Sequence, residues 1–283
     1  MLDQEGMELV SRKAGFHIVK LDSWRTFVRC FLEDQTFVDL RIFRGQCVDE
    51  PLLSRIGRIQ NQKGRERTAG LTALQLERFK YECRGRRGDN PRGLDDDEMW
   101  ALGQHFGLAT PLLDWTMSPM VALFFAFWKT AAETKEYRVV FSLDTFPVYH
   151  NEALSELRGE SFDQQSASEG DQLAQTCGKR AIPNRVLVKV IRPKSDENRR
   201  LISQRGLFVR STRDDMPLEE WIMKSYQDDH WVGNSPFLIK YLIPNQEVAV
   251  CLEALDAMNI NHATLFPDLE GAAMYCNWLL SEE

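Results

Sequence analysis

Gln104-His105-Phe106-Gly107-Leu108-Ala109-Thr110-Pro111-Leu112-Leu113-Asp114-Trp115-Thr116-Met117-Ser118-Pro119, running into the apolar stretch 121–128, decides how the chain is read. Ser118 is a capping hydroxyl and Pro119 suits the first helical position, so a helix starts here. Its residues, Val121-Ala122-Leu123-Phe124-Phe125-Ala126-Phe127-Trp128, are apolar all round. Such a helix must be covered on both sides, by a sheet on one and helices on the other. Upstream, four acidic residues, Asp95 to Glu98, open another helix, where carboxylates favour the free N–H groups. Met99, Leu102 and Phe106 form its apolar side, and Gly107 ends it. His105 therefore sits one residue inside a helix end, close in sequence to Asp114 and Thr116.

Working outward, residues 1–20 read as a tail with a polar, aperiodic start, and 21–283 as a single domain with a polar insertion around 151–180. Trp24, Phe27, Val28, Phe31 and Leu32 follow helical spacing behind Asp22 or Ser23. Residues 37–44 read as a strand that breaks at Gly45, with Arg44 continuing the row of Leu40 and Ile42. Further strands are expected at 137–143, 185–191, 204–209 and 236–243, and helices near 71–83, 198–203, 246–258 and 268–280. The whole predicts an α+β domain with a central mixed sheet around the buried apolar helix.

Composition narrows the function classes. The 283 residues carry 35 Lys+Arg against 42 Asp+Glu, a net charge of −7, which offers no global attraction to nucleic acid or anionic membrane. The six cysteines stand singly, as expected of thiols in a reducing compartment. Without a basic leader or an apolar run of membrane length, a cytoplasmic protein is the expectation.

No GxxxxGK[ST], GxGxxG, HExxH, paired CxxC, EF-hand loop or GxSxG elbow is present. No metal site is expected. What remains is a set of polar groups at element ends: Arg44 and Gln46; His105, Asp114, Trp115 and Thr116; Arg200, Gln204 and Arg205. Arginines suit a diphosphate, an indole can stack on a flat ring, and an amide or hydroxyl can hold a ribose. Together they fit a nucleotide-like ligand. The same groups also suit a plainer task, tying turns together by hydrogen bonds, with Arg44 in a structural ion pair and His105 compensating a helix dipole.

Phe43-Arg44-Gly45-Gln46, the 104–119 stretch, the Arg200/Gln204/Gly206/Phe208 spacing and Phe266-Pro267-Asp268-Leu269-Glu270-Gly271 together resemble the FRG domain family, over roughly residues 20–280. The resemblance implies a bacterial or phage-type intracellular module, often associated with defence systems. A more distant similarity is to the ADP-ribosyltransferase fold. That fold implies NAD as substrate and transfer to a protein or nucleic-acid acceptor or hydrolysis; the alternative expectation is a non-catalytic nucleotide-sensing or protein-interaction module using the same cleft. Arg44, Gln46, Trp115, Thr116 and Arg200 are then expected to bind NAD, and Gln204, Asp114 and His105 to serve the chemistry. Gln204 stands where the fold's glutamate is expected, and an amide cannot stabilise cationic charge as a carboxylate does. Asp114 or Glu247 is the candidate substitute.

Overall fold

The computed structural model describes residues 5–33, 40–64, 70–89, 91–129, 136–150, 175–177, 180–182, 187–194, 199–226 and 236–282. In chain order its elements are β1 (Met7–Lys13), β2 (Phe16–Leu21), α1 (Trp24–Glu33), β3 (Arg41–Gln46), α2 (Arg55–Lys63), α3 (Leu71–Glu82), α4 (Asp96–His105), β4 (Leu112–Thr116), α5 (Pro119–Phe127) and β5 (Tyr137–Asp144). They continue with β6 (Gln175–Cys177), β7 (Arg180–Ile182), β8 (Val188–Ile191), α6 (Arg199–Ser203), β9 (Gly206–Ser211), α7 (Leu218–Tyr226), β10 (Leu238–Pro244), α8 (Val248–Ala257), α9 (His262–Leu265) and α10 (Leu269–Glu282). Eight strands form one mixed sheet in the order β1-β2-β10-β5-β3-β4-β9-β8, and β6 and β7 form a separate ribbon. Among the described strands of this sheet, only the β2–β10 pairing is parallel.

Helix α5 forms where its signals place it. Ser118 Oγ accepts the Val121 N–H at 3.3 Å, and Pro119 occupies the first turn. Helix α4 opens with a capping box between Asp95 and Glu98 and closes on Gly107 at φ +83°. There Leu108 N–H donates to the Gly103 carbonyl at 2.8 Å, which satisfies a terminal acceptor. One core cluster packs α5, α1 and α8 against Phe43, Val140 and Tyr241. A second packs α7 on the opposite side, against Ile42, Trp115 and Phe141. Helices α3 and α4 cover Leu112 and Phe208 in a third. The sheet is thus buried on both faces, and α5 lies inside.

Three expectations change. From residue 7 on, the expected tail is sheet: β1 pairs antiparallel with β2 at the sheet edge, and its largely exposed side chains hide the alternation that marks a strand; residues 1–4 lie outside the described residues. Strand β3 runs through Gly45 to Gln46, still paired with β5. Gly45 serves close approach, since a Cβ there would lie 1.8 Å from the Ala122 carbonyl of α5. Helix α7, unforeseen in the sequence, covers one sheet face with Leu218, Ile222 and Tyr226. Of the expected 151–180 insertion, 175–177 and residue 180 belong to the β6–β7 ribbon, and the rest lies outside the described residues, as do 37–39 of the expected 37–44 strand.

Candidate functional site

The sheet is divided between β3 and β4. On one side β3 pairs with β5 along its whole length, from Arg41–Asp144 to Gln46–Val139. On the other it meets β4 at one residue pair, Phe43–Thr116. Among the described residues no further β3–β4 pair follows, and a cleft of about 590 Å³ is lined by both strands and by the start of the segment after α5. Arg44, Gln46, His105, Asp114, Trp115, Thr116, Arg200 and Gln204 all line it. The structure therefore brings the eight residues together from three distant stretches, although their environments differ sharply.

Arg44 spans the split. Its Nη1 donates to the Asp114 carbonyl at 2.7 Å and lies 3.7 Å from the Asp114 carboxylate. Burial pushes its guanidinium below the usual basicity, opposed by Asp114. Arg44 Nε is buried without a hydrogen-bond partner among the described residues, as is Gln46 Oε1. By strand alternation the two side chains share a face. A buried donor and a buried acceptor left unsatisfied side by side each cost about 1–3 kcal/mol, which a ligand group with matching polarity recovers.

Asp114 extends from β4 with its side chain 68% exposed, while Oδ1 accepts Gln104 Nε2 at 2.8 Å. Thr110 Oγ1 donates to Gln104 Oε1 in turn. A chain of hydrogen bonds from α4 thus fixes the carboxylate and leaves Oδ2 toward Arg44. His105, at the end of α4, is exposed beside Phe106. Desolvation, then Arg200, hold its imidazole below the usual value, so it is neutral near pH 7.

The remaining predicted residues are already engaged. Thr116 Oγ1 donates to the Gln204 carbonyl at 2.7 Å and accepts Ser118 N–H at 3.0 Å. Gln204 Nε2 donates to the Leu265 carbonyl at 3.0 Å, so its amide ties the α6–β9 turn to α9. Arg200 reaches Asp268 and Glu270 at 2.7 and 2.6 Å, and its charge is matched within the chain. Asp268 is held below the usual carboxylate range, first by the Gly271 N–H and then by Arg200. Trp115 departs from the expectation of a stacking surface. Alternation turns it away from Asp114 and Thr116 and into the core with Leu113, Phe141 and Leu207, leaving it 3% exposed. Glu247 pairs with Arg25 and does not line the cleft.

Glu50, Arg58 and Lys129 also line the cleft and were not singled out by sequence. Arg58 sits on α2 in the polar basic stretch, and Lys129 directly follows the apolar run. That a lone cation ends so apolar a run is the signal that could have found Lys129. Among the described residues, no group of three or more His, Cys, Asp and Glu is arranged to hold a metal ion. None of the described helices is long and apolar enough to cross a membrane.

Residues 40–135 match the model of the FRG domain family. This span is shorter than the 20–280 expected from the motifs. It holds Arg44, Gln46, His105, Asp114, Trp115 and Thr116, while Arg200, Gln204 and 266–271 lie beyond it. No curated protein and no solved structure is significantly similar to the chain.

Proposed function

We propose that the cleft between β3 and β4 binds NAD and that the protein is an ADP-ribosyltransferase-like enzyme, transferring ADP-ribose or hydrolysing NAD. The observation that carries this reading is Arg44, desolvated at the split with Nε unsatisfied beside Gln46 Oε1. A diphosphate supplies acceptors to the guanidinium, and Gln46 Oε1 accepts a ribose hydroxyl. Arg58 and Lys129 add positive charge to the same cleft. The order arginine strand, hydroxyl strand, apolar helix, seen in β3, β4 and α5, supports the likeness to the ADP-ribosyltransferase fold.

In hydrolysis, water attacks the ribose carbon, the bond to nicotinamide breaks, and nicotinamide leaves with its electron pair. Asp114, fixed by Gln104, orients the water and stabilises positive charge developing on the sugar. Neutral His105 is the proton acceptor. In transfer, an acceptor protein or nucleic acid takes the place of water. An NAD-consuming activity is also what a cytoplasmic module of bacterial phage defence would use.

A second reading, a non-catalytic nucleotide-sensing or interaction module, is favoured by one observation: the Gln204 amide is committed to Leu265. Incubation with NAD labelled in both halves separates the two readings. Release of nicotinamide, with or without transferred label, supports the enzyme. Calorimetric binding with NAD unchanged supports the sensor. Absence of both contradicts both.

A further inference from the structure

Helix α5 is apolar all round, yet its sealing is incomplete in a revealing place. Pro119, Val121 to Phe124, Ala126 and Phe127 are buried, whereas Phe125 and, just past the helix end, Trp128 are half-buried. Both line the cleft, together with Phe266 from the turn before α10. Trp128 and Phe266 lie nearly parallel, 20° apart with centroids at 5.3 Å. Phe125 stands edge-on to both, at 85° and 86°. The three rings form a corner. Phe124 and His262 pack behind Trp128, at 6.1 and 6.0 Å between centroids, so the corner is held from the rear.

Phe125 and Trp128 keep part of their rings open to the cleft, while Phe266, 8% exposed, backs them, and an aromatic face open in a cleft is available to stack on a ligand. The shape of the corner suits a flat ring, which stacks on one aromatic plane while an edge-on ring closes the end. Lys129 Nζ lies 4.7 Å from the centre of the Trp128 ring and adds positive charge at the corner, whereas Arg200, 5.3 Å from the centre of the Phe266 ring, is already paired with Asp268 and Glu270. The corner and Arg44 line the same cleft, and the β3 backbone at Gly45, the next residue, lies against Ala122 and Ala126 of α5, beside Phe125.

From this we infer that Phe125, Trp128 and Phe266 form a base subsite that stacks the heteroaromatic ring of a nucleotide whose phosphates meet Arg44. The stacking task that sequence assigned to Trp115 belongs here. This inference rests on the nucleotide reading of the cleft and makes it specific: the ligand is recognised by its base as well as its charge.

Calorimetric titration of the full chain with ADP and with inorganic pyrophosphate tests it. ADP is expected to bind at least tenfold more tightly, about 1.4 kcal/mol. Trp128→Leu is expected to lower ADP affinity about tenfold and leave pyrophosphate unchanged. Phe125→Leu, which keeps the apolar packing, provides the same comparison if the first variant does not fold. Equal binding of the two probes, or an undiminished preference for ADP in a folded variant, overturns the base subsite. Failure of both probes to bind the unaltered protein overturns the nucleotide reading, and the inference with it.

Discussion

The two flanks of β3 behave oppositely. Toward β5 the strand is closed by a continuous ladder, and toward β4 it holds by one pair. Two arginines of the strand, three residues apart, differ as well. Arg41 donates to the Ser142 carbonyl and hydroxyl at 3.2 Å and to the Pro236 carbonyl at 2.8 Å. Arg44, at the split, bonds one carbonyl and keeps Nε unsatisfied. The same side chain is satisfied by backbone carbonyls in one place and keeps an unsatisfied donor, which we propose meets a ligand, in the other. Both arginines lie in the β5 ladder and outside the single β4 pair; three residues apart, they point to opposite faces, and Arg41 meets carbonyls of β5 and Pro236 where Arg44 meets the cleft.

The largest expected break in this contrast is at Gly45. Gly45→Ala drives a Cβ into the α5 backbone and should cost about 3 kcal/mol or more, or prevent folding. Gly107→Ala, at φ +83° with nothing near its Cβ, should cost only about 1–2 kcal/mol. Thermal melts of the pair measure the difference between a packed glycine and a conformational one. Similar losses would mean that β3 does not rest on α5 as described.

The closed flank also carries a pH signature. His17 on β2 is lowered to about 4, chiefly by burial, then by Arg12 and Arg41. Between pH 6.5 and about 4 the unfolded chain binds a proton that the folded chain excludes. Stability from this group is therefore complete above pH 6.5 and is lost as pH falls through that window, by about 3 kcal/mol in all. Denaturant unfolding at pH 7 and pH 4.5 should show the loss, and His17→Gln should reduce it. An unchanged pH slope in a folded variant would sink this assignment.

At the split, a smaller effect is expected. Thr116→Val removes the bonds that join β4 to the Gln204 turn and the Ser118 amide. A loss of about 1–2 kcal/mol by chemical denaturation is expected. No loss would mean that the hydroxyl is free to face a ligand.

What was legible in the sequence follows the same division. Helices α4 and α5 were readable because their signals are local: a capping aspartate, a Ser-Pro start, a closing glycine. Strand β1 was not, because an exposed edge needs no alternation, and the single-pair junction was not, because register is a property of two strands. The site residues were nameable by type, yet their states depend on partners far along the chain. Gln204 is engaged by Leu265, 61 residues away. Trp115 faces the core because of where β4 lies in the sheet, which no spacing within 104–119 reveals.

The claim that the open flank is the ligand site is tested most directly by titrating ADP into the unaltered protein and the Arg44→Met variant, with Arg41→Met as the stability control. ADP should bind the unaltered protein, and Arg44→Met should weaken binding at least tenfold, about 1.4 kcal/mol, with its melting temperature nearly unchanged. Arg41→Met should instead lower the melting temperature through the carbonyls it leaves unpaired. Undiminished ADP binding in a folded Arg44→Met variant would contradict the account.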